Sequence, residues 1–293
     1  MPKSAYLMPI AATLLGIACL SLMDAFMKSA SLALGPYNAA LLRAGLAFAI
    51  IAPIWLARRS KWPRPAVMRV HLTRGAVGSL MALTFFIALT QLPLAETIAI
   101  SFIAPVISLY LAAVLLGESI RREAVWGALL GFAGTLVIVG GKFGRGNLNE
   151  DTLVGLAAIM VSALLYAWNL VLQRQQALVA RPVEVATFYM GTAFLLYCLA
   201  APWWFEAPPV DGFRDVGIAA ILTVCGALTM AWAYARAEAQ VLVPLEYSGF
   251  LWAALFGWLL LGERVTMTTV GGTLLIVAGC WIATRSSPEQ ASV

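Results

Sequence analysis

The sequence predicts an all-α membrane protein whose ten transmembrane helices form two inverted five-helix repeats, with both termini in the cytoplasm. Three observations lead to this prediction: the composition, the long apolar runs and an internal repeat. Of the 293 residues, 62% are hydrophobic and 11% are charged, and the mean hydropathy is +0.88. Because a soluble core does not need so much apolar surface, lipid is expected to surround most of the chain.

The apolar runs have the length of membrane spans. A bilayer core of about 30 Å requires about 20 residues of helix, and the runs match this length along nearly the whole chain. Short segments rich in glycine, proline or charge separate them. The predicted spans are 7–28, 37–57, 74–91, 95–116, 123–141, 152–173, 184–205, 214–235, 240–261 and 267–284.

The lysines and arginines that lie outside the spans or at their first residues are distributed unevenly between the two sides. With the amino terminus in the cytoplasm, thirteen of them fall on the cytoplasmic side and four on the other. Cytoplasmic loops of membrane proteins carry such an excess of positive charge. The distribution predicts cytoplasmic termini in a bacterial inner membrane, and it accounts for the net charge of +5 without nucleic-acid binding.

Sliding the chain along itself reveals the internal repeat. A shift of 145 residues aligns Leu116-Gly117-Glu118 with Leu261-Gly262-Glu263, Gly127 with Gly272, Gly134 with Gly279, Asp24 with Asn169 and Lys28 with Gln173, and a shift of 146 aligns Gly45 with Gly191. The two repeats are therefore predicted to be residues 1–145 and 146–293.

The odd number of helices in each repeat has a topological consequence. Because five is odd, the second copy enters the membrane from the opposite side, as in the inverted repeats of many secondary transporters. Such halves can rock against each other around a solute site near the midplane. The repeat therefore favours transport by alternating access.

Two corresponding segments resemble a known signature. Residues 103–118 and 243–263 each combine a proline with a Leu-Gly-Glu turn at the end of a helix. This pairing resembles the drug/metabolite transporter superfamily, and within it the ten-span EamA-type exporters, including YddG-like amino-acid exporters. The resemblance implies export of amino acids or related metabolites. Glu118 and Glu263, in the turns, are expected to cap the helices that follow them rather than bind cargo.

Ionisable side chains inside a span cost about 2.5–3.5 kcal/mol unless they find a partner or water. The four that lie well inside the predicted spans are Asp24, Lys28, Arg43 and Glu246. Asp24 and Lys28 are four residues apart on one helical face and can neutralise each other. Alternatively, with their repeat mates Asn169 and Gln173, they line a central cavity and bind the ammonium and carboxylate of a zwitterion.

The other two charges also have two interpretations each. Arg43 either attracts a cargo carboxylate or pairs with Asp24 or Glu246. Glu246 follows Pro244, which can open the helix locally, so it is a candidate ammonium ligand or proton carrier unless it is simply hydrated. Aromatic residues near these positions are candidates for an apolar pocket wall, although such residues also serve as packing or interface anchors. They are Tyr166, Trp168, Trp232, Tyr234, Tyr247 and Trp252.

Other classes of function find little support. The lone histidine, His71, lies in a basic loop and is expected to be a solvated interfacial residue. The sequence contains no phosphate-binding glycine loop, no metal-ligand spacing and no catalytic set, so neither an enzyme nor a cofactor is expected.

The sequence thus predicts a secondary transporter that exports small zwitterionic metabolites, with neutral, apolar or aromatic amino acids as the expected cargo. The alternative keeps the fold and changes the cargo to cationic drugs, nucleosides or sugars. The expected partners are the small-molecule cargo and the lipid bilayer. Glycines in the fifth and tenth spans favour close helix packing, either within one chain or between two, so a monomer and a homodimer both remain open.

Overall fold

A computed structural model describes residues 7–58, 62–104, 122–143, 149–177, 179–207, 212–234 and 248–284, together with residues 107, 111, 236 and 245. All regular elements in these ranges are α-helices. They are α1 (Leu7–Leu34), α2 (Pro36–Ala57), α3 (Pro65–Gln91), α4 (Leu94–Ser101), α5 (Arg122–Phe143), α6 (Glu150–Ala177), α7 (Pro182–Trp204), α8 (Phe213–Tyr234), α9 (Gly249–Leu261) and α10 (Met267–Thr284).

The predicted all-α membrane fold is confirmed. Six helices, α1, α2, α3, α6, α7 and α8, contain stretches long and apolar enough to cross a membrane, and shorter apolar stretches lie in α5, α9 and α10. The predicted span 95–116 corresponds to α4, which ends at Ser101, and most of residues 105–121 lie outside the described ranges. Another difference is in α3. It begins at Pro65 instead of residue 74, because proline at the first helical position starts the helix ahead of the apolar run.

The turn at Gly35 marks one end of the bundle, which we call the Gly35 end. Gly35 has a φ of 81°, a left-handed conformation that glycine adopts without strain. Asn38 donates to the carbonyl of Glu206 at 2.9 Å, which places the α7–α8 connection at this end. The backbone N–H of Leu94 donates to the carboxylate of Glu263 at 2.7 Å, so the α3–α4 and α9–α10 connections meet here too.

The opposite end, which we call the Trp62 end, is closed by aromatic contacts. Trp62, which precedes α3, forms T-shaped contacts with Trp55 at 5.7 Å and with Phe188 at 5.5 Å between ring centroids. These contacts bring together the end of α2 and the beginning of α7.

The pattern of helix contacts between the two halves stays the same when each helix is replaced by its counterpart in the other half. The pairs α2/α7, α4/α9 and α5/α10 each join helices that are five apart in number. Packing of α1 on α8 is matched by packing of α6 on α3, and packing of α2 on α8 is matched by packing of α7 on α3. Each half therefore contacts the other through equivalent helices.

The α2/α7 crossing shows this equivalence in its side chains. A Cβ atom added to Gly45 would lie 2.8 Å from the ring of Phe194, and one added to Gly191 would lie 2.8 Å from the ring of Phe48. The two rings stack with centroids 6.5 Å apart. Each glycine therefore makes room for a phenylalanine from the other half.

Backbone contact joins α5 to α10. A Cβ atom at Gly134 would lie 2.4 Å from the carbonyl oxygen of Gly272, and one at Gly279 would lie 2.6 Å from the carbonyl oxygen of Gly127. Small residues allow helices to approach this closely in membranes. The glycine contact that the sequence left open is made within one chain.

Candidate functional site

Residues from five helices meet at a buried arginine in the bundle interior. We call this set the Arg43 cluster: Asp24, Arg43, Phe86, Tyr197 and Thr223. Arg43, on α2, is only 7% exposed. Its Nη1 atom donates to the Thr223 hydroxyl on α8 at 3.2 Å, and its Cζ atom lies 5.1 Å from the centroid of the Phe86 ring on α3. Among the described residues, no group accepts a hydrogen bond from its Nε atom.

Opposite charges face each other in this cluster. The Arg43 guanidinium interacts electrostatically with the half-buried carboxylate of Asp24 on α1. It also interacts with Tyr197 on α7, whose hydroxyl donates to the carbonyl of Ser79 at 2.6 Å. Aromatic side chains therefore border the Arg43 guanidinium, whose Nε donor has no acceptor among the described residues.

Lys28 takes a partner different from the one its spacing predicted. Its ammonium lies 2.5 Å from the Glu263 carboxylate and donates to the carbonyl of Leu92 at 2.5 Å. The prediction that it neutralises Asp24 is wrong, because folding brings Glu263, at the α9–α10 connection, over Lys28. We call this contact the Lys28 pair.

The expectation for the Glu263 side chain is also corrected. Its second oxygen accepts the N–H of Leu94 at 2.7 Å, so it caps α4 rather than the following helix α10. The Thr266 hydroxyl accepts the N–H of Thr269 at 3.2 Å and caps α10 instead. Glu118 lies outside the described residues.

Asn169 and Gln173 surround a second arginine, Arg74, on α3. The Arg74 Nε atom donates to Asn169 at 3.3 Å and its Nη2 atom donates to Gln173 at 3.2 Å. Its Nη1 atom donates to Gln176, and its Cζ atom lies 4.8 Å from the centroid of the Tyr189 ring on α7. We call these five residues the Arg74 cluster.

The sequence interpretation missed Arg74, which it counted among the topology signals of a loop. Pro65, a helix-start signal, was the feature that would have placed Arg74 in the third turn of α3. The partners of Arg74 lie on α6 and α7, and their approach could not be read from the spacing along the chain.

The structure separates the two polar pairs that were expected to share one cavity. Lys28 lies at the Gly35 end, where α1 finishes, whereas α6 finishes at the Trp62 end, where Gln176 contacts His71. Equivalent positions of α1 and α6 therefore lie toward opposite ends. Asn169 and Gln173 contact Arg74 and not the Lys28 pair.

His71 is not a solvated residue. It is 0% exposed because α3 already begins at Pro65 and because α6 and α7 cover its ring. The ring stacks on Phe188 with centroids 4.9 Å apart, its Nε2 atom lies 3.2 Å from the Glu184 carboxylate, and its Nδ1 atom contacts the Gln176 amide nitrogen.

The aromatic candidates are dispersed. Tyr166 on α6 is half-buried and interacts electrostatically with Arg74. Trp168 is 43% exposed, and Trp232 is also exposed, with its ring 4.2 Å from the Cζ atom of Arg236. Tyr166 therefore belongs with the Arg74 cluster, whereas the two tryptophans present apolar surface on the outside of the bundle.

The remaining candidates lie in or near the ninth span. Trp252 is half-buried and stacks on Phe256 with centroids 5.9 Å apart. Glu246 and Tyr247 lie outside the described residues. Tyr234 is the last residue of α8, and its side chain lies outside the described part of the chain.

The profile of the EamA-like transporter family matches residues 7–140 and 153–285, which is nearly the whole chain. This chain belongs to the EamA-like transporter family. The resemblance inferred from the paired Leu-Gly-Glu segments is thereby confirmed, and the protein is a multi-pass membrane transporter.

Relatives of this EamA transporter include named exporters. It is 26% identical over 270 residues to the pseudopaline exporter CntI of Pseudomonas aeruginosa, covering 91% of this chain and 92% of that protein. It is 32% identical over 139 residues to the aromatic amino acid exporter YddG of Ancylobacter novellus, covering 47% of this chain and 45% of that protein. A solved crystal structure with 24% identity superimposes with a TM-score of 0.64 and covers 95% of this chain and 99% of its own, which supports the fold alone.

Proposed function

We propose that this EamA transporter exports small zwitterionic metabolites, namely amino acids with neutral, apolar or aromatic side chains, through the Arg43 cluster. The observation that carries this proposal is the buried guanidinium of Arg43, whose Nε donor has no partner among the described residues and which interacts electrostatically with Asp24. A buried donor left without an acceptor costs about 1–3 kcal/mol, and a bound carboxylate would remove that cost.

The chemistry of the cluster suits both charges of an amino acid. Guanidinium groups bind carboxylates through two parallel hydrogen bonds, and a carboxylate such as Asp24 binds an ammonium group. Phe86 and Tyr197 offer aromatic surface for an apolar side chain. The cargo classes in the names of the relatives, above all aromatic amino acids, agree with this assignment.

The position of the cluster suits alternating access. It draws on α1, α2 and α3 from the first half and on α7 and α8 from the second, so cargo bound there would lie between the halves. The exchangeable pattern of helix contacts and the opposite directions of α1 and α6 support two inverted repeats, residues 1–145 and 146–293.

The orientation follows from the charge distribution. With the excess of lysine and arginine in the cytoplasm, both termini and the Trp62 end face the cytoplasm of a bacterium, and the Gly35 end faces outward across the inner membrane. Links between the halves exist at both ends: Lys28 with Glu263 at one, and His71 with Glu184 at the other. Alternating access requires each link to open in turn.

Flux measurements in proteoliposomes test the proposal. L-Phenylalanine is compared with phenethylamine, which lacks the carboxylate, and with 3-phenylpropionate, which lacks the ammonium group. Arg43→Gln should lower the flux of both carboxylates at least about tenfold, the effect of losing a charge-assisted hydrogen bond of about 1.5–3 kcal/mol. Asp24→Asn should lower only the flux of the two amines.

Exposed charges provide the matched controls. Arg69→Gln and Asp151→Asn change the same residue types on the surface and should leave all three fluxes unchanged. Equal flux of L-phenylalanine through the unmodified chain and Arg43→Gln would contradict the proposal. Saturable phenethylamine flux that depends on Asp24, together with no flux of L-phenylalanine or 3-phenylpropionate, would favour the alternative, export of cationic compounds.

A further inference from the structure

We infer that Arg74 is the centre of a second subsite, at the Trp62 end, that binds the carboxylate of a cargo molecule. This inference rests on the proposed function, because it assumes cargo that carries a carboxylate. It adds to that function a separate binding station, formed by α3, α6 and α7.

The ligands of Arg74 are unusual for a guanidinium inside a membrane protein. Its three hydrogen bonds all go to neutral amide oxygens, those of Asn169, Gln173 and Gln176. Tyr189 adds the face of its ring. Within the described ranges no carboxylate contacts Arg74, so its positive charge is solvated but not neutralised.

A carboxylate would compete well with these amides. A carboxylate adds the attraction between two full charges, which a neutral amide oxygen lacks, and it engages a guanidinium through two parallel bonds at once. The amide oxygens therefore hold the arginine in place while leaving it available to an anion.

One of the three amides is suited to leave first. Gln173 is exposed, whereas Asn169 and Gln176 are buried, at 4% and 0% exposure. Rotation of the Gln173 side chain would open the Nη2 side of Arg74 toward the Trp62 end without disturbing the bundle interior. Cargo would thus approach from the end that we assign to the cytoplasm.

The buried amide is held by His71, which acts as a positioning residue. The Gln176 oxygen accepts a bond from Arg74, so its amide nitrogen must donate to Nδ1 of His71. Nδ1 is then unprotonated, and the ring carries its hydrogen on Nε2, where it donates to Glu184 at 3.2 Å. A change in the hydrogen bonds of Arg74 therefore reaches the His71 ring through the Gln176 side chain.

The two arginine clusters occupy related places in the two halves. The shift of 146 that aligns Gly45 with Gly191 also carries Arg43 onto Tyr189, the ring that lies over Arg74. The second half thus has an aromatic ring where the first half has a guanidinium, and Arg74 from α3 supplies the missing cation. Cargo crossing the protein would meet one guanidinium toward each end.

The lone histidine makes the subsite observable without transport. We would label the full chain with ¹⁵N-histidine, purified without a histidine tag in lipid nanodiscs, and record the ring signals of His71 while adding 3-phenylpropionate or phenethylamine. Binding of the carboxylate at Arg74 should shift both ring nitrogens, and the amine should not. The shift should persist in Arg43→Gln and disappear in Arg74→Gln.

A second variant guards against loss of folding. Gln173→Ala removes one competing oxygen and leaves the His71 contacts intact, so 3-phenylpropionate should bind about fivefold more tightly, the equivalent of one net hydrogen bond. No response to the carboxylate in the unmodified chain, or a response that survives Arg74→Gln, would overturn the inference. L-Phenylalanine flux without a His71 response would leave the proposed function standing, whereas a response without flux would leave only the subsite.

Discussion

The two ends of the bundle join the same two halves by different chemistry. At the Gly35 end, the buried Lys28 and the partly buried Glu263 form an ion pair at 2.5 Å, and the same carboxylate caps α4. At the Trp62 end, His71 faces Glu184 at 3.2 Å, in a pair that is ionic only when the imidazole is protonated, and neutral amides surround Arg74.

The difference implies unequal costs of opening. Removing one partner from a buried ion pair costs about 3–5 kcal/mol, because the other charge is left uncompensated. A hydrogen bond between a neutral group and a carboxylate contributes about 1.5–3 kcal/mol. We therefore expect the Trp62 end to open more readily than the Gly35 end.

The largest effect is expected from Lys28→Met. It leaves the Glu263 carboxylate without its cation and should lower the free energy of unfolding, measured by titration with denaturing detergent in lipid micelles, by about 3–5 kcal/mol. The double variant with Glu263→Gln should recover part of this loss. Arg264→Met, which removes a neighbouring exposed charge, is the control. Additive single effects would show that the pair is not coupled.

An intermediate effect is expected at the crossing of α2 and α7, where the two halves should be alike. Gly45→Ala and Gly191→Ala each force a methyl group against a phenylalanine of the other half and should cost about 1–3 kcal/mol apiece. Because each of these contacts is the counterpart of the other in the opposite half, the two losses in unfolding free energy should agree within about 0.5 kcal/mol.

Gly140→Ala is the matched control for this comparison. A Cβ atom there would meet nothing within 4 Å, so the change should be neutral or slightly stabilising. A large difference between the Gly45 and Gly191 variants would show that the asymmetry of the ends extends to the apolar crossing of α2 and α7.

The smallest effect is expected from Glu184→Gln. The glutamine can still accept a hydrogen bond from His71, so only the difference between a bond to a charged group and a neutral bond is lost, about 1 kcal/mol of unfolding free energy. The same detergent titration applies. A loss as large as that of Lys28→Met would reverse the ranking of the two ends.

Much of the fold follows from the sequence because lipid imposes simple rules. Apolar runs and starting prolines predict the bounds of α2, α7 and α10 closely, since a helix is the structure that satisfies its own backbone in a bilayer. The repeat also predicts the match of Gly45 with Gly191. The beginning of α3 is missed because Arg69, His71 and Arg74 interrupt its apolar residues, although Pro65 already starts the helix.

The polar contacts were harder to predict. The spacing of Asp24 and Lys28 suggests a local pair, but a partner 235 residues away along the chain prevails because α9 and α10 meet over α1. Asp24 and Arg43 were recognised as candidates, whereas Arg74 and the buried state of His71 depend on the approach of α6 and α7. The spacing of residues along one helix does not predict how closely other helices approach it.

The glycine contact between α5 and α10 has a mechanical consequence. The backbones of Gly134 and Gly272, and of Gly127 and Gly279, lie close together with Ile138 and Ile276 packed beside them, so few side chains separate these two helices. A line of such contacts serves as a hinge pin: it permits rotation about its length but resists separation. The first and second halves are thus expected to swing about α5 and α10, and the widest excursion should occur at the helices farthest from this axis.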